Sequence, residues 1–386
     1  MALLTIAFIL LACGPASPPQ TATTIRLGVL YNLTGSQARL DRPSANGAAL
    51  AAEKINAAGG VLGRRLELIP VDGKTDAAAI RTAAIHLVET EKVVAMLGFS
   101  DSEMVLAAAP IAAKAGIVFV TSGATSAKLP AQVPDYLFLA CFGDNVQAAA
   151  AAEYAYRTLQ ARSVYLLADQ GMEYTRLLGK YFTERFTSLG GRVLLQDTYQ
   201  SGGKDLAPQL ARLKGLARLP DVLYVAAGPE DVGAIVKQLR AAGVSKPIFG
   251  GDSYATPALL DAAGKSRGQT YFTTHVLIDP QLSNRVVNEF INAYQAKYGI
   301  PPENAFAGLG YDAVELLADA ITRAGSADPQ AIRAALQNTR DLQGVTGSIA
   351  FQPGSRIPQK SVALVWVTRG RFTLASEFIP EQVPAP

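Results

Sequence analysis

The sequence predicts an α/β protein of two similar lobes, each a parallel sheet flanked by helices. Strand-length and helix-length apolar periods alternate from Ile25 to Thr274, the pattern of parallel strands crossed over by helices. The alternation restarts near Cys141-Phe142-Gly143-Asp144, which divides it into two units. The last quarter of the chain changes to helices and then strands, and completes both units.

In the first unit, residues 25–31 read as a strand. Residues 44–58 have helical spacing and stop at Gly59-Gly60. Residues 66–71 are a strand, and 76–90 a helix with Ile80, Ala84, Leu87 and Val88 on one face. Residues 93–97 and 117–121 are strands, each ending in a small polar loop that opens a helix; 136–140 are strand-like. In the second unit, 144–159 is a helix, 163–167 a strand, and 174–188 a helix ending at Gly190-Gly191. Strand 192–199, helix 206–218 and strand 222–227 follow. Residues 229–242 read as a helix, with Pro229 at its start and Gly243 beyond its end. Residues 248–249 and 270–274 are strands. Helices are expected at 284–297, 305–323 and 329–338, then strands at 348–351, 362–368 and 371–376.

At 386 residues, 49% hydrophobic and 17% charged, the chain has ample material for a core and is not a disordered composition. A net charge of +3, with no Lys/Arg cluster interleaved with aromatics, excludes nucleic acid as a partner. Cys13 and Cys141 are the only cysteines. Cys13 lies in an apolar N-terminal segment, so the pair is not expected to form a structural disulfide; Cys141 reads as a buried small hydrophobe. The opening run M-A-L-L-T-I-A-F-I-L-L-A is too short for an ordinary membrane span and fits the apolar region of a secretory signal. Leu10-Leu11-Ala12-Cys13 resembles the bacterial lipobox, in which the Cys becomes the lipidated first residue. No Lys or Arg precedes the run, a departure from that pattern. Residues 14–24 are a Pro/Ser/Thr/Gln-rich tether, and no later segment is long and apolar enough to span a membrane.

Two distant histidines, His86 and His275, with no Cys partner make no metal constellation. No G-x-S-x-G, Walker A or G-x-G-x-x-G sequence is present, and no nucleophile–base pair can be argued. The chain therefore reads as neither an enzyme nor a cofactor protein. What remains is polar residues at strand ends. Ser102 and Thr125 follow two adjacent strands at the carboxyl edge of the first sheet, where hydroxyls beside free helix N–H groups suit an anion such as a carboxylate. Plain helix capping is the alternative for both. From the second unit come Tyr174, and Asp252 after Gly250-Gly251. Asp252 would accept from an ammonium, so the two sets together suit a zwitterion. The alternatives are a turn residue for Asp252 and helix-start packing for Tyr174. His275 ends a strand, in a ligand-contact or a packing role.

Five stretches then resemble the bacterial periplasmic Leu/Ile/Val-binding protein family, from about Ile25 to Ser376. They are L-T-G-S-Q-A with N-G-A-A-L-A-A-E-K-I-N-A-A-G-G-V-L-G (33–63), A-P-I-A-A-K-A-G-I-V-F-V-T-S-G-A-T (109–125), Y-T-R-L-L-G-K-Y-F (174–182), G-G-D-S-Y-A-T-P (250–257) and G-Y-D-A-V-E-L-L-A-D-A (310–320). Thr175 stands where Gly is usual in the third. The resemblance implies a type I periplasmic binding fold whose lobes are joined by a multi-segment hinge near 142–144, 273–275 and 349–352. The N-terminal lobe would be 25–142 with 275–350, the C-terminal lobe 143–274 with 351–378, and 1–24 the lipoprotein signal and tether.

It also implies a ligand site. Ser102 and Thr125, with the Gly123-Ala124 backbone, would hold an α-carboxylate. Asp252 would receive the α-amino group and Tyr174 cover the ligand. Leu40 would line the side-chain pocket, at a position that is Trp in the protein for which the family is named, and His275 lies at the same strand-end edge. Asp101 stands where some members have a disulfide Cys, and the 227–228 loop lacks an aromatic found in some. The implied protein is an exported, lipid-anchored monomer that closes on an amino acid, branched-chain or related, and is read by ABC permease subunits in the membrane. The alternative is a ligand-sensing receptor or regulator of the same fold, taking an amide, organic acid or aromatic compound.

Overall fold

Two open sheets, one from each half of the alternating pattern, frame the computed structural model, which describes residues 24–203, 205–264, 268–282 and 284–386. The lipobox-like Cys13 and residues 14–23 of the tether lie outside the described residues. The first half runs β1 (Ile25–Tyr31), α1 (Ala38–Ala57), β2 (Leu66–Asp72), α2 (Ala77–Glu89), β3 (Ala95–Gly98), α3 (Ser102–Lys114), β4 (Phe119–Thr121), α4 (Leu129–Gln132) and β5 (Leu137–Leu139). Its strands are all parallel, in the order β2-β1-β3-β4-β5. β1, β3 and β4 are almost wholly buried. Strands covered by helices on both faces read as continuous apolar runs rather than alternations.

The second half runs α5 (Asp144–Glu153), which ends in a π turn at Tyr154–Thr158, then β6 (Ser163–Asp169), α6 (Glu173–Ser188), β7 (Arg192–Tyr199), α7 (Ala207–Lys214), β8 (Val222–Ala226), α8 (Val232–Ala241), β9 (Ile248–Gly250), a 3-10 turn at Asp252–Tyr254, α9 (Pro257–Gly264) and β10 (Thr270–Thr274). The chain then returns. α10 (Arg285–Tyr298), α11 (Ala305–Ala324) and α12 (Pro329–Gln337) share a core with β1, β3 and β4. A hairpin of β11 (Leu342–Gly344) and β12 (Gly347–Ile349) follows. β13 (Val362–Thr368) and β14 (Arg371–Phe378) join the second sheet, whose order is β14-β13-β10-β9-β8-β6-β7.

The second sheet is parallel from β6 to β10, but β13 and β14 are antiparallel additions. The cause is local. Arg369 and Gly370 both have positive φ, a two-residue turn whose twist suits an antiparallel hairpin. Two expected elements move. The helix expected from Pro229 starts at Val232, leaving Pro229 in the loop before it. The helix expected from Ser44 starts at Ala38 and carries Pro43 inside it.

Helix α1 crosses α11 at backbone contact. A Cβ on Gly47 would sit 1.8 Å from Ala307 O, and one on Gly310 1.9 Å from Ser44 O. Glycine at both crossing points is what lets the return helix dock against the first sheet's helix layer. At the end of β3, Gly98 has φ +144°, and a Cβ there would lie 1.7 Å from Leu30 O. That turn aims the following residues, Ser100 and Asp101, out of the carboxyl edge.

Candidate ligand-binding cleft

One interlobe cavity is lined by residues from the carboxyl ends of six parallel strands. Gln37 and Leu40 follow β1, Ser100 and Asp101 follow β3, and Gly123 and Thr125 follow β4. Across the cleft, Met172 and Tyr174 follow β6, Pro229 follows β8, and Asp252 and Ser253 follow β9. Phe306, at the start of α11, completes the wall. In each sheet these loops flank the point where strand order reverses, beside β1 and β3 and beside β6 and β8. Open α/β sheets bind ligands at that point. The lobes are closed on one another, and the cavity between them measures about 20 Å³.

The first face is built from backbone and short side chains. Asp101, not Ser102, caps α3: its Oδ1 accepts from Glu103 N at 2.9 Å and Met104 N at 3.1 Å. Ser102 is the first helical residue, and its Oγ accepts from Ser126 N at 3.3 Å, tying the two loops together. It does not line the cavity. The loop after β4 does not open a helix at Thr125; α4 begins at Leu129. Within that loop, Gly123 N donates to Phe99 O, Ala124 N to Thr121 Oγ1 and Ser126 N to Ser102 Oγ. Thr125 N–H is thus the one left for an anion among residues 123–126, and the Thr125 hydroxyl beside it also bonds toward the buried Asp144 carboxyl. Ala124 is buried in the core and its carbonyl accepts from the buried Cys141 thiol. Gly123 is required by packing: a Cβ would meet the Phe306 ring at 2.8 Å. Leu40, buried in the same wall, fits its expected place.

Behind this face sits Asp41, fully buried, accepting from Asn32 N at 2.8 Å. Burial pushes its carboxyl up to about 7, against the lowering effect of the Asn32 N–H. Burial likewise pushes Asp101 up to about 6.

The second face is a side-chain network centred on Asp252. Tyr174 OH donates to Asp252 Oδ1 at 2.7 Å and lies 3.2 Å from Ser253 Oγ. Gln147 Nε2 donates to the same Oδ1 at 3.1 Å and to Asp144 Oδ1 at 3.1 Å, while Gln147 Oε1 accepts from Asp252 N and from Thr273 Oγ1. His275 Nε2 lies 3.1 Å from Asp252 Oδ2. Its ring stacks on Phe142 at 3.7 Å between centroids and meets Phe306 edge-on. Burial lowers the His275 pKa, against the raising effect of Asp252, and so favours the neutral ring; the neutral tautomer that satisfies the pair carries its proton on Nε2. Burial also pushes Asp144 well above the usual carboxylate range. Gly251 makes room for the network: a Cβ there would lie 2.3 Å from Tyr174 OH.

The structure thus brings Leu40, Gly123, Thr125, Tyr174 and Asp252 into one cavity wall, with His275 behind Asp252. Ser102 and Ala124 support the wall without lining it. Sequence reasoning missed Gln37, Ser100, Met172, Pro229, Ser253, Phe306 and Gln147, and took Asp101 only as an unpaired disulfide position. Met172 and Pro229 each follow a strand, so strand-end position would have found them. Gln147 and Phe306 are reached only through the tertiary fold. One ion pair spans the lips of the cleft, Arg39 Nε to Glu230 Oε1 at 2.7 Å. Among the described residues no group of His, Cys, Asp and Glu side chains could hold a metal ion, and no helix is long and apolar enough to cross a membrane.

Two α/β lobes with one polar cleft between their carboxyl edges define a solute-binding protein. The chain belongs to the periplasmic binding protein family, whose model matches residues 24–371. It is similar to an amino acid binding protein of Pseudomonas aeruginosa, 26% identical over 90% of this chain and 91% of that one. Among solved structures, the leucine-binding protein LivK from Thermotoga maritima is 31% identical, with TM-score 0.84 over 93% of this chain and 99% of that one. The branched-chain amino acid transporter substrate-binding protein LivJ from Streptococcus pneumoniae, in complex with isoleucine, is 30% identical, with TM-score 0.83 over 92% and 99%. Members of this family are solute-binding proteins rather than enzymes.

Proposed function

We propose that this chain is the extracytoplasmic solute-binding component of an ABC transporter and captures an α-amino acid by closure of its two lobes. The observation that carries the reading is the pairing across one cavity of Asp252 with the Thr125 loop. A carboxylate in one lobe and N–H and O–H donors in the other suit the two charges that every α-amino acid carries. In this reading Thr125, with Ser102 and the Gly123-Ala124 backbone holding its loop, takes the α-carboxylate; Asp252 takes the ammonium. Tyr174 and His275 keep the Asp252 carboxylate oriented, and Leu40 meets the ligand's side chain. A cavity of about 20 Å³ has room for about one water. Entry of an amino acid therefore requires the lobes to part, by hinge motion at the three chain crossings. The closed form is then presented to permease subunits, from a monomer held at the membrane through Cys13.

Calorimetry on the purified chain with the common L-amino acids and with benzoate tests this. An affinity near 1 μM corresponds to about −8 kcal/mol, within reach of a buried, doubly paired zwitterion. Binding of an amino acid subset supports the reading. Binding of benzoate with no amino acid bound overturns it in favour of an aromatic-acid receptor. Palmitate labelling in a bacterial host tests the anchor, and an unlabelled soluble product counts against it.

A further inference from the structure

The cleft has a second carboxylate whose charge the zwitterion reading leaves unused. Asp101 lines the cavity from the first lobe and is 8% exposed. Its Oδ1 is taken up by the two N–H groups of the α3 cap. Its Oδ2 receives only a long contact of 3.4 Å from Gln37 Nε2. A carboxylate oxygen accommodates about two donors, so Oδ2 has acceptor capacity left on a residue that lines the cleft. No Lys or Arg lines the cavity, and no ion pair involves Asp101 among the described residues. The charges of Glu103 and, from the opposite lobe, Glu173 deepen the negative potential there. The same cavity wall is apolar at Leu40, Met172 and Pro229. The wall thus offers apolar surface for a short stem and an acceptor for what the stem carries.

We infer that Asp101 and Gln37 select α-amino acids whose side chains end in an N–H donor, an amide or an ammonium, over purely aliphatic ones. This rests on the amino-acid reading above and narrows it. An aliphatic side chain closing on Asp101 would leave the Oδ2 buried with only the long 3.4 Å contact from Gln37 Nε2, a cost that hydrogen-bonding ligands avoid. A site built to hydrogen-bond a ligand group discriminates strongly against an isostere lacking it.

Leucine and asparagine are nearly isosteric and make the decisive pair, with lysine as the ammonium arm. Calorimetry on the full chain is expected to give L-asparagine or L-lysine at least tenfold tighter binding than L-leucine. Whichever of the two binds tighter separates amide from ammonium recognition. In Asp101→Ser, which keeps a capping oxygen for α3 and removes the charge, that preference is expected to fall below threefold. Leucine binding as tightly as or tighter than both in the unmodified chain overturns the inference and leaves the amino-acid reading standing. So does an undiminished preference in Asp101→Ser. Benzoate binding with no amino acid bound overturns both. The preference in the unmodified chain is measured whether or not the variant folds.

Discussion

The two faces of the cleft are built by different means. The first-lobe face presents the Thr125 backbone N–H, a cap carboxylate and short side chains on strand-end loops. Its geometry follows from the sheet edge, and most of its groups are already held by neighbours in the same lobe: Ser102 by Ser126, Gly123 by Phe99, Ala124 by Thr121. The second-lobe face is one carboxylate held by Tyr174, Gln147 and His275, which come from α6, α5 and the segment after β10. A face made of backbone tolerates side-chain substitution. A face made of one charge and its donors depends on each of them, because a buried polar group left unpaired costs more than a made bond gains. Substitutions on the second face are therefore expected to weaken binding more than equivalent ones on the first.

The largest effect is expected from Asp252→Ala. Removing the carboxylate leaves a ligand ammonium unpaired in a closed cleft, a cost of a few kcal/mol. Affinity is expected to fall more than tenfold by calorimetry while the variant stays folded by circular dichroism. An unchanged affinity would remove Asp252 from the site and dissolve the contrast between the faces. Next comes Gly251→Ala, whose new Cβ would fall 2.3 Å from Tyr174 OH and 2.6 Å from Leu178 Cδ1. Overpacking of this kind costs roughly 1–3 kcal/mol. The variant is expected to lose about tenfold in affinity and some thermal stability together; loss of stability alone would show that the network does not set the site. Tyr174→Phe keeps the ring and removes one donor to Asp252. A single hydrogen bond to a charged group is worth about 1.5–3 kcal/mol when lost, and with Gln147 and His275 still bonded to the carboxylate the lower end, about tenfold or less, is expected.

The smallest effect on binding belongs to Asp41→Asn, behind the first face, but it has a pH signature. Asp41 titrates near 7 in the folded chain and near 3.8 when unfolded. The folded state therefore keeps a proton that the unfolded chain loses between those values. The stability this contributes is full below about pH 4 and is lost as pH rises to about 7. Asn keeps the acceptor for Asn32 N and does not titrate. The variant's melting temperature is expected to gain on the parent's steadily from pH 4 to pH 7 and to run parallel above, a difference of a few degrees. Curves parallel throughout would mean that the Asp41 carboxyl titrates in the ordinary range.

The frame of this fold was legible in the chain. β1, β10 and β13 fall on the residues their apolar runs marked, because strands covered on both faces cannot hide their composition; β7 also falls on its expected residues, as a half-exposed edge strand. Helix ends were less legible. Pro229 looks like a helix start, yet the loop holds it in the cavity wall and α8 begins three residues later. Cap assignment failed for a related reason: Asp101 and Ser102 are both good caps, and only the backbone angles at the end of β3 decide that Asp101 takes the role. The same choice put a charge in the cleft where the sequence pointed to a hydroxyl.

By itself the sequence determined which residues end parallel strands, and so that Thr125, Tyr174 and Asp252 would stand at sheet edges. Strand-end position is a local property, fixed by apolar run length and the glycines that follow. Only the tertiary structure decided that the two edges face each other, that Gln147 and His275 converge on Asp252 from elements 105 and 23 residues away in sequence, and that Phe306 closes the wall. Those contacts depend on the chain crossing between lobes and returning, and on Gly47 and Gly310 letting α11 dock against α1. Convergence of distant segments has no local signal, because it is set by packing between elements and not within them.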